Sequence, residues 1–116
     1  MRKSGVRELL PLNPKTFHVL LALAGGEQHG YAIARSVEAE TDGLIRLTPG
    51  TLYPLIHQML VDGWIVEIDG SDGDPRRRLY RLSALGKRVA QAEALRMGEL
   101  VRLAQSHNLL TTAGHA

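Results

Sequence analysis

The segment 48–61 combines small, polar and aromatic side chains, and none of them carries a formal charge. A glutamine amide can pair with adenine, a threonine or histidine can donate to bases or phosphates, and a proline ring can touch a thymine methyl. On a helix with about 100° per residue, these groups lie opposite an apolar face or on its flanks. The candidate DNA-contacting residues of the segment are Thr48, Gly50, Thr51, Tyr53, Pro54, His57 and Gln58.

Further groups suited to phosphate lie on either side of this segment. Three consecutive arginines, Arg76, Arg77 and Arg78, follow a Gly/Asp turn, where phosphate contact fits better than surface solubility alone. The Tyr31 hydroxyl could also reach a phosphate, although a packing role with a wet hydroxyl is equally consistent. Segment 48–61 could likewise be an ordinary helix start with a solvated polar face. The combination nevertheless favours nucleic-acid binding.

Side chains for catalysis or metal binding are not arranged in any known pattern. The five histidines show no i, i+4 pair, and the chain has no cysteine. No glycine-rich phosphate loop or G-x-S-x-G elbow occurs, and the Glu38/Glu40 and Asp72/Asp74 pairs have polar surroundings. We therefore expect neither an enzyme nor a bound metal or cofactor.

Length and charge limit the architecture. The 116 residues suffice for one compact domain with a long appended helix, but not for a separate ligand domain. The net charge is only +2, and the basic residues concentrate near the N-terminus, in 76–78 and in the last helix. No run approaches the roughly 20 apolar residues of a membrane span. Arg2 and Lys3 are not followed by the apolar region of a signal peptide. We expect a cytoplasmic protein without a membrane partner.

Three helices must position the candidate residues. Asn13 followed by Pro14 predicts a helix start, and the apolar run to Ala24 predicts burial on more than one side. A second helix is predicted over 30–40, and a third over 48–61, with Thr48 as its cap and a glycine after its end. The predicted core face of the third helix is Leu52, Leu55, Ile56, Met59 and Leu60.

A β-hairpin should follow the third helix. Alternating apolar residues predict strands over 64–68 and 78–82, joined by the exposed turn 70–75. Trp64 is interpreted as a plug between helix and hairpin rather than as a surface that stacks on a ligand. The predicted fold class is therefore mainly α with a small β-hairpin, a winged helix-turn-helix followed by a long C-terminal dimerisation helix.

The last helix, capped by Ser83 and ending near Ser106, has two neighbouring apolar arcs. An arc much wider than about 100° predicts two burial partners, its own domain and a second subunit. The predicted dimer-interface residues are Phe17, Leu21, Ala90, Ala94, Met97, Val101 and Ala104. The predicted organisation is an N-terminal arm (1–12), a winged helix-turn-helix domain (13–82), a dimerisation helix (83–107) and a flexible tail (108–116).

Three motifs together resemble the PadR family of transcriptional regulators. They are His29-Gly30-Tyr31-Ala32-Ile33, Gly50-Thr51-Leu52-Tyr53-Pro54-Leu55 and Arg76-Arg77-Arg78-Leu79-Tyr80-Arg81-Leu82-Ser83-x-x-Gly86. The resemblance covers roughly residues 10 to 105 and is closest to the short branch with a single C-terminal helix. It implies a homodimer that binds palindromic promoter DNA, usually as a repressor that a small molecule releases. It also implies DNA contact by Tyr31, Thr51, Tyr53, Pro54 and the three arginines.

Two positions depart from the family pattern. Many relatives have a lysine or arginine where this chain has His57 or Gln58. Some short members bind flat aromatic compounds between tryptophans of the last helix, and this last helix has no aromatic residue.

Two other functions remain alternatives. One is a winged-helix module that docks a partner protein without specific DNA binding. The other is a ligand sensor with its pocket at the dimer centre, near Phe17, Leu21, Met97 and Val101.

Overall fold

The computed structural model describes residues 4–69 and 78–110. Within these ranges the chain forms five helices and a three-stranded sheet. The helices are α1 (Ser4–Arg7), α2 (Pro14–Ala24), α3 (Gly30–Glu40), α4 (Pro49–Val61) and α5 (Ala84–Ser106), and the strands are β1 (Gln28–His29), β2 (Ile65–Asp69) and β3 (Leu79–Leu82). The predicted turn 70–75, Arg76, Arg77 and the end of the predicted tail lie outside the described residues.

Helix α2 is the central element of the core. The Asn13 side chain accepts a hydrogen bond from the Lys15 backbone N–H at 2.8 Å, and Pro14 occupies the first turn. Val19 and Leu20 are fully buried, and Phe17, Ala22 and Leu23 are nearly so. The prediction of burial on more than one side is confirmed, because α2 contacts α3, α5 and β3.

The sheet is antiparallel in the order β1-β3-β2. Its third strand, β1, was not predicted, because two residues are too few to show a period. The strand predicted over 64–68 is β2, which begins one residue later, at Ile65. The backbone N–H of Trp64 donates to the carbonyl of Met59 at 2.9 Å, which makes Trp64 part of the turn that ends α4.

Helix α4 has the predicted ends and the predicted inner face. Leu52, Ile56 and Met59 are each 2 % exposed, and Gly63 adopts a φ of +78° after the last turn. Thr48 differs from the prediction, because its side chain makes no capping bond to the helix backbone. Its hydroxyl instead donates to the hydroxyl of Thr51 at 3.4 Å, so Thr48 occupies the cap position through its backbone alone.

A tight backbone contact joins the end of α4 to the beginning of α5. The Ser83 backbone N–H donates to the Trp64 carbonyl at 3.0 Å, and the Ser83 hydroxyl donates to the Gly63 carbonyl at 2.5 Å. The same hydroxyl accepts from the Gly86 N–H at 3.0 Å, as the predicted cap of α5. A Cβ added to Gly86 would lie 1.9 Å from the Trp64 carbonyl oxygen. We call this contact of Gly63, Trp64, Ser83 and Gly86 the α4–α5 joint.

Helix α5 contains a buried charged residue, Glu93, whose burial the sequence did not predict. Glu93 has no exposed surface, and its carboxylate accepts from the Leu12 backbone N–H at 3.0 Å. It also accepts two bonds from Arg96, at 2.6 and 3.0 Å. The hydrogen bond from Arg96 lowers the pKa of Glu93, with a smaller contribution from the Leu12 N–H, and outweighs the opposing effect of burial. Glu93 thus anchors the segment before α2 to α5.

Candidate nucleic-acid interface

The outer face of α4 consists of small and polar groups, as the sequence predicted. Gly50, Pro54 and His57 are all exposed. They lie opposite the buried apolar face of the helix. This face could enter a DNA groove without moving the core.

Pro54 and Gly50 make part of this face flat. Pro54 lacks the N–H that would bond to the carbonyl of Gly50. A Cβ on Gly50 would meet no atom within 4 Å outside the backbone of its own helix. Packing within the chain therefore does not require a glycine at position 50, whereas close approach of a partner backbone would benefit from one.

The flanks of the face are more constrained than the sequence suggested. Tyr53 and Thr51 are half-buried, and Tyr53 packs against the core cluster. The Gln58 amide donates to the Asp62 carboxylate at 3.1 Å. Gln58 must give up or share that bond before its amide can pair with adenine.

Tyr31 lies at the beginning of α3 with 49 % of its surface exposed. Its ring stacks on the ring of His29, with centroids 6.1 Å apart and planes 12° from parallel. The aromatic contact orients the ring, and the exposure leaves room for the hydroxyl to reach a partner.

Arg78 is not a freely exposed arginine. It is half-buried, and its guanidinium lies 3.7 Å from the Glu67 carboxylate across the hairpin. The pKa of Tyr80 is raised by burial and by the charge of Glu67 and lowered less strongly by Arg78. The sequence could not reveal this pairing, because it depends on the register of β2 against β3. Arg78 therefore lies directly before β3, where it is engaged with its own chain.

The residues predicted for a dimer interface fall into three groups by their exposure. Leu21, Ala94 and Val101 are exposed, with Leu21 at 40 % and Val101 at 46 %. Met97 and Ala104 are half-buried. Phe17 and Ala90 are only 6 % and 9 % exposed, so they have little surface left to offer a second subunit. Their burial by the chain itself differs from the prediction.

The distal half of α5 exposes further large apolar side chains. Leu95 is 64 % exposed, and Leu100 and Leu103 are each about half exposed. A groove between α2 and the first half of α5 is lined in part by Leu21, Ala90 and Ala94. A helix with this much exposed apolar surface has an unfilled face in the single chain.

Two negative findings complete the description. Among residues 4–69 and 78–110, no group of three or more His, Asp or Glu side chains is arranged to hold a metal ion. No helix in the described part of the chain has the length and apolar character needed to cross a membrane.

Comparison with known proteins extends these observations. Residues 19–92 match the family model described as "Transcriptional regulator PadR-like family". Among curated proteins, Transcriptional regulator Rv3488 of Mycobacterium tuberculosis is 31% identical over 85 residues, which cover 73% of this chain and 77% of the relative. The family consists of transcriptional regulators, not enzymes.

Solved structures share the fold. A transcriptional regulator from Clostridium thermocellum superposes with a TM-score of 0.66 at 20% identity, over 91% of this chain and 96% of that one. Bacillus subtilis PadR in complex with operator DNA superposes with a TM-score of 0.58 at 22% identity, over 71% of this chain and 46% of that one. These matches confirm the predicted fold class, a mainly helical winged helix with a small antiparallel sheet. The chain belongs to the PadR-like family of transcriptional regulators.

Proposed function

We propose that this protein is a homodimeric repressor that binds a palindromic operator through the outer face of α4. The observation that carries the proposal is the exposed, uncharged face of Gly50, Pro54 and His57 opposite the buried side of the helix. A relative with the same fold has been solved with operator DNA, which supports this choice of partner. A regulator of this kind meets DNA in the cytoplasm.

The distribution of charged residues indicates which parts of the chain provide DNA affinity and which provide sequence specificity. Because α4 has no formal charge, phosphate attraction must come from other elements. Arg7 is exposed in the N-terminal arm, and we assign the same role to Arg76 and Arg77. Thr51, Pro54, His57 and Gln58 then discriminate among bases, while Thr48, Tyr31 and Tyr53 contact the backbone.

A second copy of the chain is the best partner for the apolar face of α5. We propose that the exposed and half-buried members of the predicted interface pack against α5 of a partner. They are Leu21, Ala94, Met97, Val101 and Ala104. Phe17 and Ala90 lie behind them and support them from within the chain. Two copies would read half-sites about one helical turn apart. The division into arm (1–12), winged domain (13–82), dimerisation helix (83–107) and tail (108–116) belongs to this proposal, as does release by an effector.

A footprint on the DNA upstream of its own gene tests the DNA-binding proposal. We expect protection of a sequence with twofold symmetry at moderate salt. His57→Ala should weaken binding to that sequence more than binding to random DNA, because the change removes a base contact and no phosphate contact. His107→Ala provides the matched control, since His107 is an exposed histidine at the end of α5. Equal effects of the two variants, or no protected dyad, would contradict the proposal.

The arginines allow a second, independent measurement. Arg76→Ala and Arg77→Ala should each flatten the dependence of log affinity on log salt by about two units, because the proposed dimer contains two copies of each arginine. Arg78→Ala should change the slope less, because Arg78 already faces Glu67. An unchanged slope in the double variant Arg76→Ala, Arg77→Ala would show that the hairpin does not contact DNA.

A protein-interaction module is the second candidate. The pairing of Arg78 with Glu67 favours it, because it reduces the free positive charge beside an already uncharged α4. A module of this kind would bind all DNA sequences weakly and equally. The comparison of dyad with random DNA therefore separates the two functions.

A further inference from the structure

The side-chain amide of Gln58 is held by a carboxylate one helical turn farther along the chain. Its Nε2 donates to the Oδ1 of Asp62 at 3.1 Å. Asp62 directly follows α4, and its backbone N–H donates to the Gln58 carbonyl at 2.9 Å. Both residues are exposed, so a DNA base can reach the amide while the carboxylate holds it.

The backbone that carries the Asp62 carboxylate is held in place before DNA arrives. The N–H of the next residue, Gly63, donates to the Leu60 carbonyl at 3.1 Å, and the Gly63 carbonyl accepts from the Ser83 hydroxyl. Gly63 belongs to the α4–α5 joint, so this turn is tied to the beginning of α5. Only side-chain torsions separate the carboxylate from a fixed position at the end of α4.

A carboxylate at this position brings the helix no net stability. The free carbonyls at a helix C-terminus carry partial negative charge, so a negative side chain beside them is unfavourable. The hydrogen bond between Gln58 and Asp62 is favourable by a similar amount. Stability therefore does not account for an aspartate at position 62, which points to a role in recognition.

An ionised carboxylate can hold a glutamine amide in one orientation only. The carboxylate accepts hydrogen bonds and cannot donate them, whereas the amide has two N–H donors at one end and an acceptor oxygen at the other. Reversal of the Gln58 amide would place its oxygen against the Asp62 carboxylate. The N–H end therefore points to Asp62, and one N–H and the oxygen remain for a base.

The remaining groups of the amide match adenine better than guanine. In the major groove adenine presents one acceptor, N7, and one donor, the N6 amino group, whereas guanine presents two acceptors, N7 and O6. The Gln58 oxygen can accept from the adenine amino group, but opposite guanine it would face another acceptor. An amide that is free to turn could instead direct its N–H end at guanine.

We propose that Asp62 is a positioning residue that makes Gln58 select adenine over guanine at one position of each half-site. Asp62 acts through the Gln58 amide and contacts no base itself. The inference rests on the proposed function, because it concerns how the operator is read.

Selection of bound sequences from a random DNA pool, followed by affinity measurements on single-base variants of the selected dyad, tests the inference with the full chain. Gln58→Ala identifies the position that Gln58 reads, because the base preference there should be lost. We expect the wild type to bind adenine there about tenfold more tightly than guanine. Asp62→Ala should lower this ratio to about threefold or less. The ratio is informative because loss of a negative charge should raise the affinity for every sequence alike.

Three controls separate orientation of the amide from charge and from stability. Glu40→Ala removes another exposed carboxylate, at the end of α3, and should leave the ratio unchanged. In the Gln58→Ala background, Asp62→Ala should change the ratio no further, because the residue through which it acts is gone. Thermal unfolding should occur at the same temperature in Asp62→Ala and the wild type, because the two opposing effects on stability are lost together.

The outcomes distinguish this inference from the proposed function. A selected dyad that Asp62→Ala reads with the wild-type ratio would overturn the inference alone. The same holds for equal effects of Asp62→Ala and Glu40→Ala, for a further effect of Asp62→Ala in the Gln58→Ala background, for a clear fall in its unfolding temperature, or for a dyad in which Gln58→Ala changes no position. Failure of the wild type to select any dyad would overturn the proposed function, and the inference with it.

Discussion

The α4–α5 joint makes Gly86→Ala the most informative substitution in the chain. The added Cβ would lie 1.9 Å from the Trp64 carbonyl oxygen and 2.8 Å from its carbonyl carbon. Ordinary contacts begin near 3.4 Å, so α5 or the turn that contains Trp64 must move by about 1.5 Å. The obstacle is backbone that also bonds to Met59 and Ser83, so no side chain can rotate away.

The magnitude follows from three contributions. Overpacking of this kind costs about 1–3 kcal/mol, and a shift of α5 would weaken up to two hydrogen bonds of Ser83, worth about 1 kcal/mol each. The higher helix propensity of alanine offsets about 1 kcal/mol of this destabilisation. We expect Gly86→Ala to lower the free energy of unfolding by about 2–4 kcal/mol.

Urea unfolding at one fixed protein concentration measures this effect, because the apparent stability of a dimer depends on concentration. Gly98→Ala is the matched control, since it makes the same change in the same helix and its Cβ meets no atom within 4 Å. It should be neutral or stabilise by up to about 1 kcal/mol. If Gly86→Ala proved as stable as Gly98→Ala, the contact with Trp64 would not be a constraint and the reasoning would fail.

Three further expectations concern burial, capping and assembly. Glu93→Gln should cost about 2 kcal/mol by urea unfolding at neutral pH. Because folding lowers the pKa of Glu93 from 4.5, its contribution should persist above that pH and fade as the pH falls further, so acid should destabilise the wild type more than the variant. Asn13→Ala should cost about 1 kcal/mol by thermal unfolding, and Thr48→Ala only a few tenths, because only the former loses a side-chain cap bond. Met97→Glu with Val101→Glu should shift sedimentation to the monomer and weaken DNA binding, and an unchanged profile would count against the seam.

The sequence predicted α4 well because its signals are local. Pro49 begins the helix, Gly63 ends it, and the spacing of Leu52, Ile56 and Met59 defines the inner face. The outer face then follows from geometry alone. The prediction that the side chain of Thr48 caps the helix was wrong, because the sequence gives the type of a residue but not the rotamer of its side chain.

What the sequence did not reveal depends on contacts between distant segments. Burial of Glu93 requires the Leu12 N–H, which lies 81 residues earlier in the chain. The engagement of Arg78 requires Glu67 on the neighbouring strand. β1 exists only because β3 offers it a free edge. No local pattern encodes these pairings.

The α4–α5 joint also bears on how this regulator could change its operator. Helix α5 has 23 residues and extends about 35 Å from the joint. In the proposed dimer, a rotation of only about 5° at the joint would move the far end of α5 by about 3 Å, close to the rise of one base pair. Because backbone packs directly against backbone at Gly86, we expect variation in half-site spacing among related proteins to arise in the distal half of α5. The joint would then preserve how each copy reads its half-site while the distance between half-sites changes.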